Sequence, residues 1–303
     1  MISLHSHSGQ FCCHAKGTLE DVVLAAIERG FTTLGLSEHV PRSRQQDIYP
    51  DEAGLTPSDL SLTFDNYLVE ARRLQQKYSS RIPLLVGAET ELIHSTTLKE
   101  LDELQSRHKL DYLVGSVHHV QGYPLDYDSE GYAVAEAAVG GTEALFLDYF
   151  NAQYELLSHV KPAVVGHFDL VRIFRPDHVL SDDIWAKIKR NVLKIVEYGG
   201  LVEINSRAWK KGLKDAYPQR DILRYMISAG AKFTLSDDSH GPNDIGMYYD
   251  RLYAYVKEMG LHEVFYLALD GEGQVRLESI KTANLQTVTA GTGDPLANLM
   301  SDS

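Results

Sequence analysis

The chain has 303 residues, 44% of them hydrophobic and 23% charged, which is typical of a globular protein that can bury one large core. Its 42 acidic residues outnumber 29 basic ones, and the formal net charge of −13 repels a nucleic-acid backbone. No run of 18 apolar residues and no charged-then-apolar leader occurs, so we predict a cytoplasmic protein that binds no nucleic acid and no membrane. The two cysteines, Cys12 and Cys13, are adjacent, which favours reduced, inert thiols over a disulfide framework.

The first part of the chain alternates short apolar runs with amphipathic stretches. A capping box at 18–21 begins the first predicted helix, and Gly30 ends it. The Pro- and Gly-containing stretch 40–62 is predicted to be a long irregular loop. We predict strands at 1–6, 32–37, 83–88 and 111–116, and helices at 65–78 and around 98–104.

The same alternation continues to residue 240. A polar insertion is predicted at 120–141, and the last residues, 282–303, resemble a mobile tail because they contain glycine, proline and few aromatic residues. We predict strands at 162–166, 200–202 and 231–235, and helices at 143–159, 182–198 and 221–229.

Each of the seven predicted strands ends in a cluster of polar residues. Repeated parallel strand–helix units close into a barrel whose active site lies at the C-terminal ends of the strands. Clustered His, Asp and Glu are the ligands that divalent metals require, so the pattern predicts a metal centre there. The clusters are His5/His7, Glu38/His39, Glu89, His118, His167/Asp169, Glu203/Asn205 and Asp238/His240.

The opening stretch carries the densest group of candidate ligands. On a strand, His5 and His7 point to the same face, because side chains alternate with a period of two. His14 follows the turn at 8–10 and can fold back to the same ion or to a neighbouring one.

These motifs, taken together, resemble those of the PHP (polymerase and histidinol phosphatase) superfamily, and most closely its histidinol-phosphatase branch. The resemblance implies an α/β fold, a distorted seven-stranded (β/α)7 TIM-like barrel formed as a single domain by residues 1–281. It covers six motifs in order: His5-x-His7, Ser37-Glu38-His39, Gly87-x-Glu89, Ser116-x-His118, Gly166-His167-x-Asp169 and Asp238-x-His240.

The resemblance also implies three divalent metal ions. The first would be bound by His5, His7, Glu89 and Asp238, the second by Glu89, His118 and His167, and the third by His14, His39 and His240. One carboxylate bridge among many imidazoles suits Zn, Mn or Fe better than Mg or Ca. The segment from His7 to His14 is one residue longer than in the bacterial members, so Cys13 is an alternative to His14.

Clustered metals supply a bridging hydroxide that attacks phosphorus, and they neutralise the phosphoryl oxygens. His240 is expected to act in catalysis as well as in metal binding. Glu38 and Asp169 are expected to shuttle protons or to orient the neighbouring imidazoles.

The basic residues nearest the strand ends are the candidates for phosphate binding. They are Arg42, Arg172 and either Lys210, where the family leads us to expect arginine, or Arg207. For each of them, a solvated surface cation is the alternative. His119, Asp126 and Glu91 are candidates for contact with an imidazole or an amine of the substrate.

The predicted function is hydrolysis of L-histidinol phosphate to L-histidinol and phosphate in histidine biosynthesis. One alternative is a phosphoesterase that acts on nucleotides or on nucleic-acid ends, which the net charge and the lack of a basic run disfavour. Another is a catalytically silent metal-binding module, which the complete set of candidate ligands disfavours.

Overall fold

The computed structural model describes residues 1–285. Its strands are β1 (Ile2–Ser3), β2 (Ser6–His7), β3 (Thr33–Leu36), β4 (Leu84–Glu89), β5 (Tyr112–Gly115), β6 (His119–Val120), β7 (Tyr123–Pro124), β8 (Val164–Val165), β9 (Leu201–Asn205), β10 (Lys232–Ser236), β11 (Ser239–His240), β12 (Glu263–Leu269) and β13 (Val275–Lys281). Its α-helices are α1 (Leu19–Glu28), α2 (Pro57–Lys77), α3 (Thr97–Arg107), α4 (Ser129–Val139), α5 (Thr142–His159), α6 (Asp182–Tyr198), α7 (Arg207–Lys210), α8 (Arg220–Ser228) and α9 (Tyr249–Glu258).

The predicted seven-stranded α/β barrel is confirmed. Parallel strands β1-β3-β4-β5-β8-β9-β10 lie side by side in that order. The first and last of them are joined at their C-terminal ends, where β2 pairs in parallel with β11 and His7 lies opposite His240. The barrel therefore closes through the same residues that carry the predicted ligands.

Two apolar layers hold the barrel together. Helices such as α1, α5 and α6 bury their apolar faces against the outside of the strands. The hairpin β12–β13 closes the N-terminal end, where Leu267 packs against the first residues of the barrel strands. Because both faces of the barrel strands are buried, their sequences are continuous runs of apolar residues.

Tyr112 crosses the inside of the barrel, and its hydroxyl donates a hydrogen bond to the carbonyl of Leu4 (2.7 Å). The ring lies directly over two glycines of neighbouring strands. A Cβ atom added to Gly35 would lie 2.1 Å from the Tyr112 hydroxyl oxygen, and one added to Gly87 would lie 2.5 Å from the ring. Glycine at these positions thus makes room for the side chain that spans the barrel.

Two segments predicted to be irregular contain helices. The predicted loop 40–62 was wrong in its second part, because α2 begins at Pro57, where Thr56 and Asp59 form a capping box. The polar insertion at 120–141 contains the hairpin β6–β7 and then α4, which Asp128 caps and Gly140 ends with φ of +98°. Local capping signals marked both helices, although the polar composition around them favoured loops.

The two ends of the chain also differ from expectation. The predicted first strand is split into β1 and β2, because the hydroxyl of Ser3 donates to Asp237 (2.9 Å) while β2 turns to pair with β11. No element was predicted between His240 and residue 282, where α9, β12 and β13 lie.

The predicted tail, 282–303, lies mostly outside the described residues. Its first three residues, Thr282–Asn284, form one 3-10 turn, and Thr282 and Leu285 are buried. Packing against the barrel therefore continues past residue 281, at least to Leu285. Within 1–285, none of the helices is both long and apolar enough to cross a membrane.

Substitution of Gly35 by alanine tests the packing around Tyr112. Because the new methyl group overlaps the phenol, we expect the free energy of unfolding in urea to fall by about 1 to 3 kcal/mol. Gly271→Ala is the matched control, since nothing lies within 4 Å of its added Cβ. A Gly35→Ala variant as stable as this control would contradict the proposed constraint.

Candidate metal centre and active site

The carboxylate of Glu89, at the end of β4, lies at the centre of the polar cluster. Glu89 is 1% exposed. Its Oε1 faces one ring nitrogen each of His5 (3.1 Å), His118 (3.3 Å) and His167 (3.0 Å). Its Oε2 faces His7 (3.3 Å) and His39 (3.1 Å). One buried carboxylate thus meets five imidazoles that come from four strand ends.

Two further predicted ligands complete this cluster on the side where the barrel closes. The Oδ1 of Asp238 lies 3.8 Å from His5 and 3.7 Å from His7. The ring of His240 packs against that of His7, with centroids 4.6 Å apart. Parallel pairing of β2 with β11 holds these residues beside each other.

The donor atoms of this cluster fit divalent cations. Several buried atoms make no hydrogen bond, among them His5 Nε2, both ring nitrogens of His7, and both carboxylate oxygens of Glu91. Such orphaned polar atoms are costly unless a partner binds them. Two nitrogen ligands of one tetrahedral Zn²⁺ lie about 3.3 Å apart, and the Nε2 atoms of His118 and His167 are 3.2 Å apart. The distance between these two nitrogen atoms is therefore the one expected for two ligands of the same ion.

The charges of the cluster also favour cations. Burial opposes ionisation of Glu89, yet His5, His118 and His39 hold the pKa of this carboxylate well below its usual range. Burial likewise disfavours a charged His7, but Glu38 and Glu89 raise its pKa to about 9. The carboxylates thus impose a field in which positive charge among the imidazoles is stable, and a metal ion can take the place of the protons.

Glu91 is a further member of the metal-binding cluster. Its Oε1 lies 3.0 Å from His39, and its Oε2 lies 3.5 Å from His118. His39, Glu91 and His118 present their donor atoms to one point, as do His5, His7 and Asp238. The sequence suggested a substrate contact for Glu91, which stays a prediction: Glu91 lines the cavity above the cluster, and its carboxylate faces these imidazoles.

His14 lies at the edge of the cluster. Its ring is 5.0 Å from that of His240 and 5.7 Å from that of His39, and the side chain is 44% exposed. Cys12, rather than the alternative Cys13, accompanies it: the Cys12 sulfur lies 3.2 Å from His14 Nε2, whereas Cys13 is exposed. The expectation of two buried thiols therefore holds for Cys12 alone.

Two carboxylates hold ligand imidazoles in place. Glu203, on β9, faces Nδ1 of His5 (3.1 Å) and accepts hydrogen bonds from the backbone N–H of His167 (2.6 Å) and from Asn205 (2.7 Å). Glu38 accepts from the N–H and hydroxyl of Ser8 and lies 3.5 Å from Nδ1 of His7. Such contacts fix the ring orientation of a metal-binding histidine. From the sequence, Glu203 was identified as a strand-end residue but was assigned no role. Its place directly after the predicted strand 200–202 is the feature that could have indicated a role in the site.

Asp169 and Arg172 lie apart from the ligand cluster. Asp169 accepts hydrogen bonds from Arg172 (2.6 Å) and from the N–H of Gln219 (2.8 Å). Arg172 also donates to the carbonyl of Ala216 and packs against the ring of Tyr217 at 5.0 Å. Asp169 and Arg172 thus stabilise the segment that carries Tyr217. Because these internal contacts occupy the Arg172 guanidinium, we do not expect it to bind phosphate.

A cavity of about 200 Å³ opens above the ligand cluster. Of the predicted phosphate-binding residues, Arg207 lines it and Lys210 does not; Asp244 pairs with both, at 3.3 Å from Arg207 and 2.6 Å from Lys210. Lys211 and Tyr217 also line the cavity and were not predicted. The buried Tyr217 hydroxyl makes no hydrogen bond within residues 1–285 and is available as a neutral donor.

Of the remaining predicted substrate contacts, Asp126 lines the cavity, whereas Arg42 and His119 lie behind Tyr49. Arg42 forms an ion pair with Glu52, lies 3.9 Å from Glu91 and packs on the ring of Tyr49. His119 stacks on Tyr49, with ring centroids 5.6 Å apart. Burial lowers the pKa of His119 to about 4, so its imidazole is neutral at pH 7.

Comparison with known proteins identifies the family. A family model described as "PHP domain" matches residues 3–207. A protein named "probable histidinol-phosphatase" from Schizosaccharomyces pombe is 44% identical over 299 residues, covering 96% of this chain and 97% of that protein. The histidinol-phosphatase of Saccharomyces cerevisiae is 30% identical over 334 residues, covering 97% of this chain and 98% of that protein.

A solved structure shares the fold. The histidinol phosphate phosphatase of Lactococcus lactis, crystallised with zinc, L-histidinol and phosphate, superposes with a TM-score of 0.69 at 17% identity, covering 91% of this chain and 98% of that chain. Together with the match to the family model and the identity to the fungal proteins, this places the chain in the PHP domain family.

Proposed function

We propose that the protein hydrolyses L-histidinol phosphate to L-histidinol and phosphate, as the names of its fungal relatives describe. The observation that carries the proposal is the buried Glu89 carboxylate with five imidazoles within 3.3 Å. A cluster of this kind suits metal-assisted attack on a phosphomonoester. The cytoplasmic location stays a prediction.

The residues present suit three divalent ions. His5, His7, Glu89 and Asp238 would hold one, and Glu89 would extend to a second beside His118 and His167. His39, His240 and His14 would hold the third, to which Cys12 and Glu91 offer further donor atoms. Zinc is the preferred ion, because imidazole predominates and the Lactococcus lactis structure contains zinc. Bound ions supply a nucleophilic water near neutral pH and Lewis-acid stabilisation of the phosphoryl oxygens.

The side chains of the protein bind and orient the phosphate. Arg207 donates one N–H to the carbonyl of Asp238 (2.9 Å), which leaves further guanidinium donors for phosphate oxygens. Lys211 adds positive charge to the same wall. The Tyr217 hydroxyl can donate a hydrogen bond without adding charge, and Asp169 with Arg172 keeps its segment in place.

Phosphate release from L-histidinol phosphate, p-nitrophenyl phosphate and a nucleotide monophosphate tests the function. We expect a strong preference for L-histidinol phosphate. Glu89→Gln and His118→Ala should lower kcat/KM and metal content by more than about 100-fold, since even residues that only orient ligands contribute 10- to 100-fold.

His262→Ala, a change at an exposed histidine, is the matched control and should retain activity and metal. Turnover of the nucleotide with L-histidinol phosphate untouched would overturn the proposed substrate. Full metal content without turnover of any ester would indicate a silent metal-binding module.

A pair of substitutions separates the two candidate phosphate contacts. Arg207→Gln should lower kcat/KM about 10- to 100-fold, because it removes a charge-assisted hydrogen bond. Lys210→Gln should change it less than about threefold, because this side chain is 44% exposed and paired with Asp244. The reverse order of effects in steady-state kinetics would assign the contact to Lys210.

Glu203 is expected to act through His5. Glu203→Gln should weaken metal affinity about 10- to 100-fold, because it loosens the ring orientation of this histidine. Competition with a chelator measures that affinity, and Glu197→Gln, at a mostly exposed position on α6, is the control. Unchanged affinity in Glu203→Gln would restrict this residue to a role in folding.

A further inference from the structure

The cavity above the ligand cluster carries charges of both signs, and one of the cations, Arg207, lies 3.3 Å from Asp244. Arg207 and Lys211 line it from α7 and the residue after it, and Lys211 forms no ion pair among the described residues. Asp126 lines it from the segment after β7, and its carboxylate forms no ion pair or hydrogen bond within residues 1–285. A half-buried carboxylate beside a binding cavity is thus free to take a cation from a ligand.

An aromatic wall accompanies Asp126. The rings of Tyr49 and Tyr127 stack nearly parallel, at 8° with centroids 6.1 Å apart, and both line the cavity. The ring of Tyr49 also packs against Arg42 and His119. The wall is therefore supported from behind and presents aromatic surface next to a free negative charge.

The basic residues and the aromatic residues line the cavity from the ends of different barrel strands. Tyr49 belongs to the loop after β3, the second strand of the barrel, and Asp126 and Tyr127 follow β5, the fourth. Arg207 follows β9, the sixth strand, which lies across a seven-stranded barrel from the second. A molecule in the cavity therefore meets cations that follow one strand and a carboxylate with aromatic rings that follow two others.

Of the three residues considered for contact with an amine or imidazole, Asp126 and Glu91 line the cavity, and of these two only the Asp126 carboxylate forms no ion pair or hydrogen bond within residues 1–285. Glu91 faces His39 and His118, and His119 lies behind Tyr49. A carboxylate and aromatic rings together bind organic cations through charge-assisted hydrogen bonds and cation–π contact.

We propose that Asp126 binds the ammonium group of the substrate while Tyr49 and Tyr127 contact its organic portion, so that the enzyme selects phosphomonoesters that carry a cation. This inference rests on the proposed function and deepens it, since the phosphate lies at the metal ligands and Arg207. Selection by charge also explains how a small phosphatase cavity distinguishes an amino-alcohol phosphate from neutral esters of similar size.

The test compares L-histidinol phosphate with its deamino analogue, 3-(imidazol-4-yl)propyl phosphate, which lacks the amine. In the wild-type protein, kcat/KM for L-histidinol phosphate should exceed that for the analogue by about 10- to 100-fold, the range of a hydrogen bond to a charged group. Asp126→Asn should bring this ratio close to one, mainly through a higher KM for L-histidinol phosphate. Asp126→Glu, which keeps the charge, should retain most of the preference.

Asp128→Asn is the matched control, because Asp128 lies in the same segment, caps α4, and asparagine preserves that cap. It should keep the wild-type ratio. A ratio in Asp126→Asn equal to that of the wild type, with an unchanged unfolding temperature, would overturn the inference and leave the proposed function intact. Hydrolysis of other phosphomonoesters by the wild type without turnover of L-histidinol phosphate would overturn the proposed function, and the inference with it.

Discussion

The rest of the site depends on the buried negative charge of Glu89. A carboxylate removed from water is costly unless opposite charge or hydrogen bonds compensate it, and here the compensating groups are imidazoles from β2 and from the ends of β3, β5 and β8. These side chains meet only because all barrel strands run parallel and end on one side. The pairing of β2 with β11 closes the barrel and adds Asp238 and His240 to the same cluster. Fold and metal centre are therefore products of one arrangement.

The candidate ligands and the proposed substrate contacts lie on different parts of the fold. The ligand cluster lies on strand ends, which rigid backbone hydrogen bonding holds in place. The cavity wall above it consists of insertions: the segment with Tyr49, the segment with Asp126 and Tyr127, and the helix with Arg207. Loops can change in length and charge without disturbing the barrel, so this division allows a common metal centre to serve different substrates.

Carboxylates near the site make different contacts although their chemistry is the same. Glu203 and Glu38 contact ligand imidazoles, whereas Asp169 is bound to Arg172 and to the segment of Tyr217. Asp169 was expected to shuttle protons or to orient the neighbouring imidazoles, and both roles stay predictions. Its hydrogen bonds with Arg172 and Gln219 favour a role in positioning the segment of Tyr217, against whose ring Arg172 also packs. In an acidic protein with a net charge of −13, such pairing also limits how many cations remain free to attract a phosphate.

The sequence by itself determined the barrel, the strand ends that carry ligands, and most of the ligand set, because a strand's period and its C-terminal polar cluster are local properties. Tertiary structure alone decided the contacts that depend on side-chain direction after a strand ends. It turned Glu91 toward His39 and His118, placed Cys12 rather than Cys13 beside His14, and put Arg207 rather than Lys210 in the lining of the cavity, although both contact Asp244. Residues one to three apart on a turn point in different directions, and only the packing of the surrounding loops fixes which of them faces the cavity.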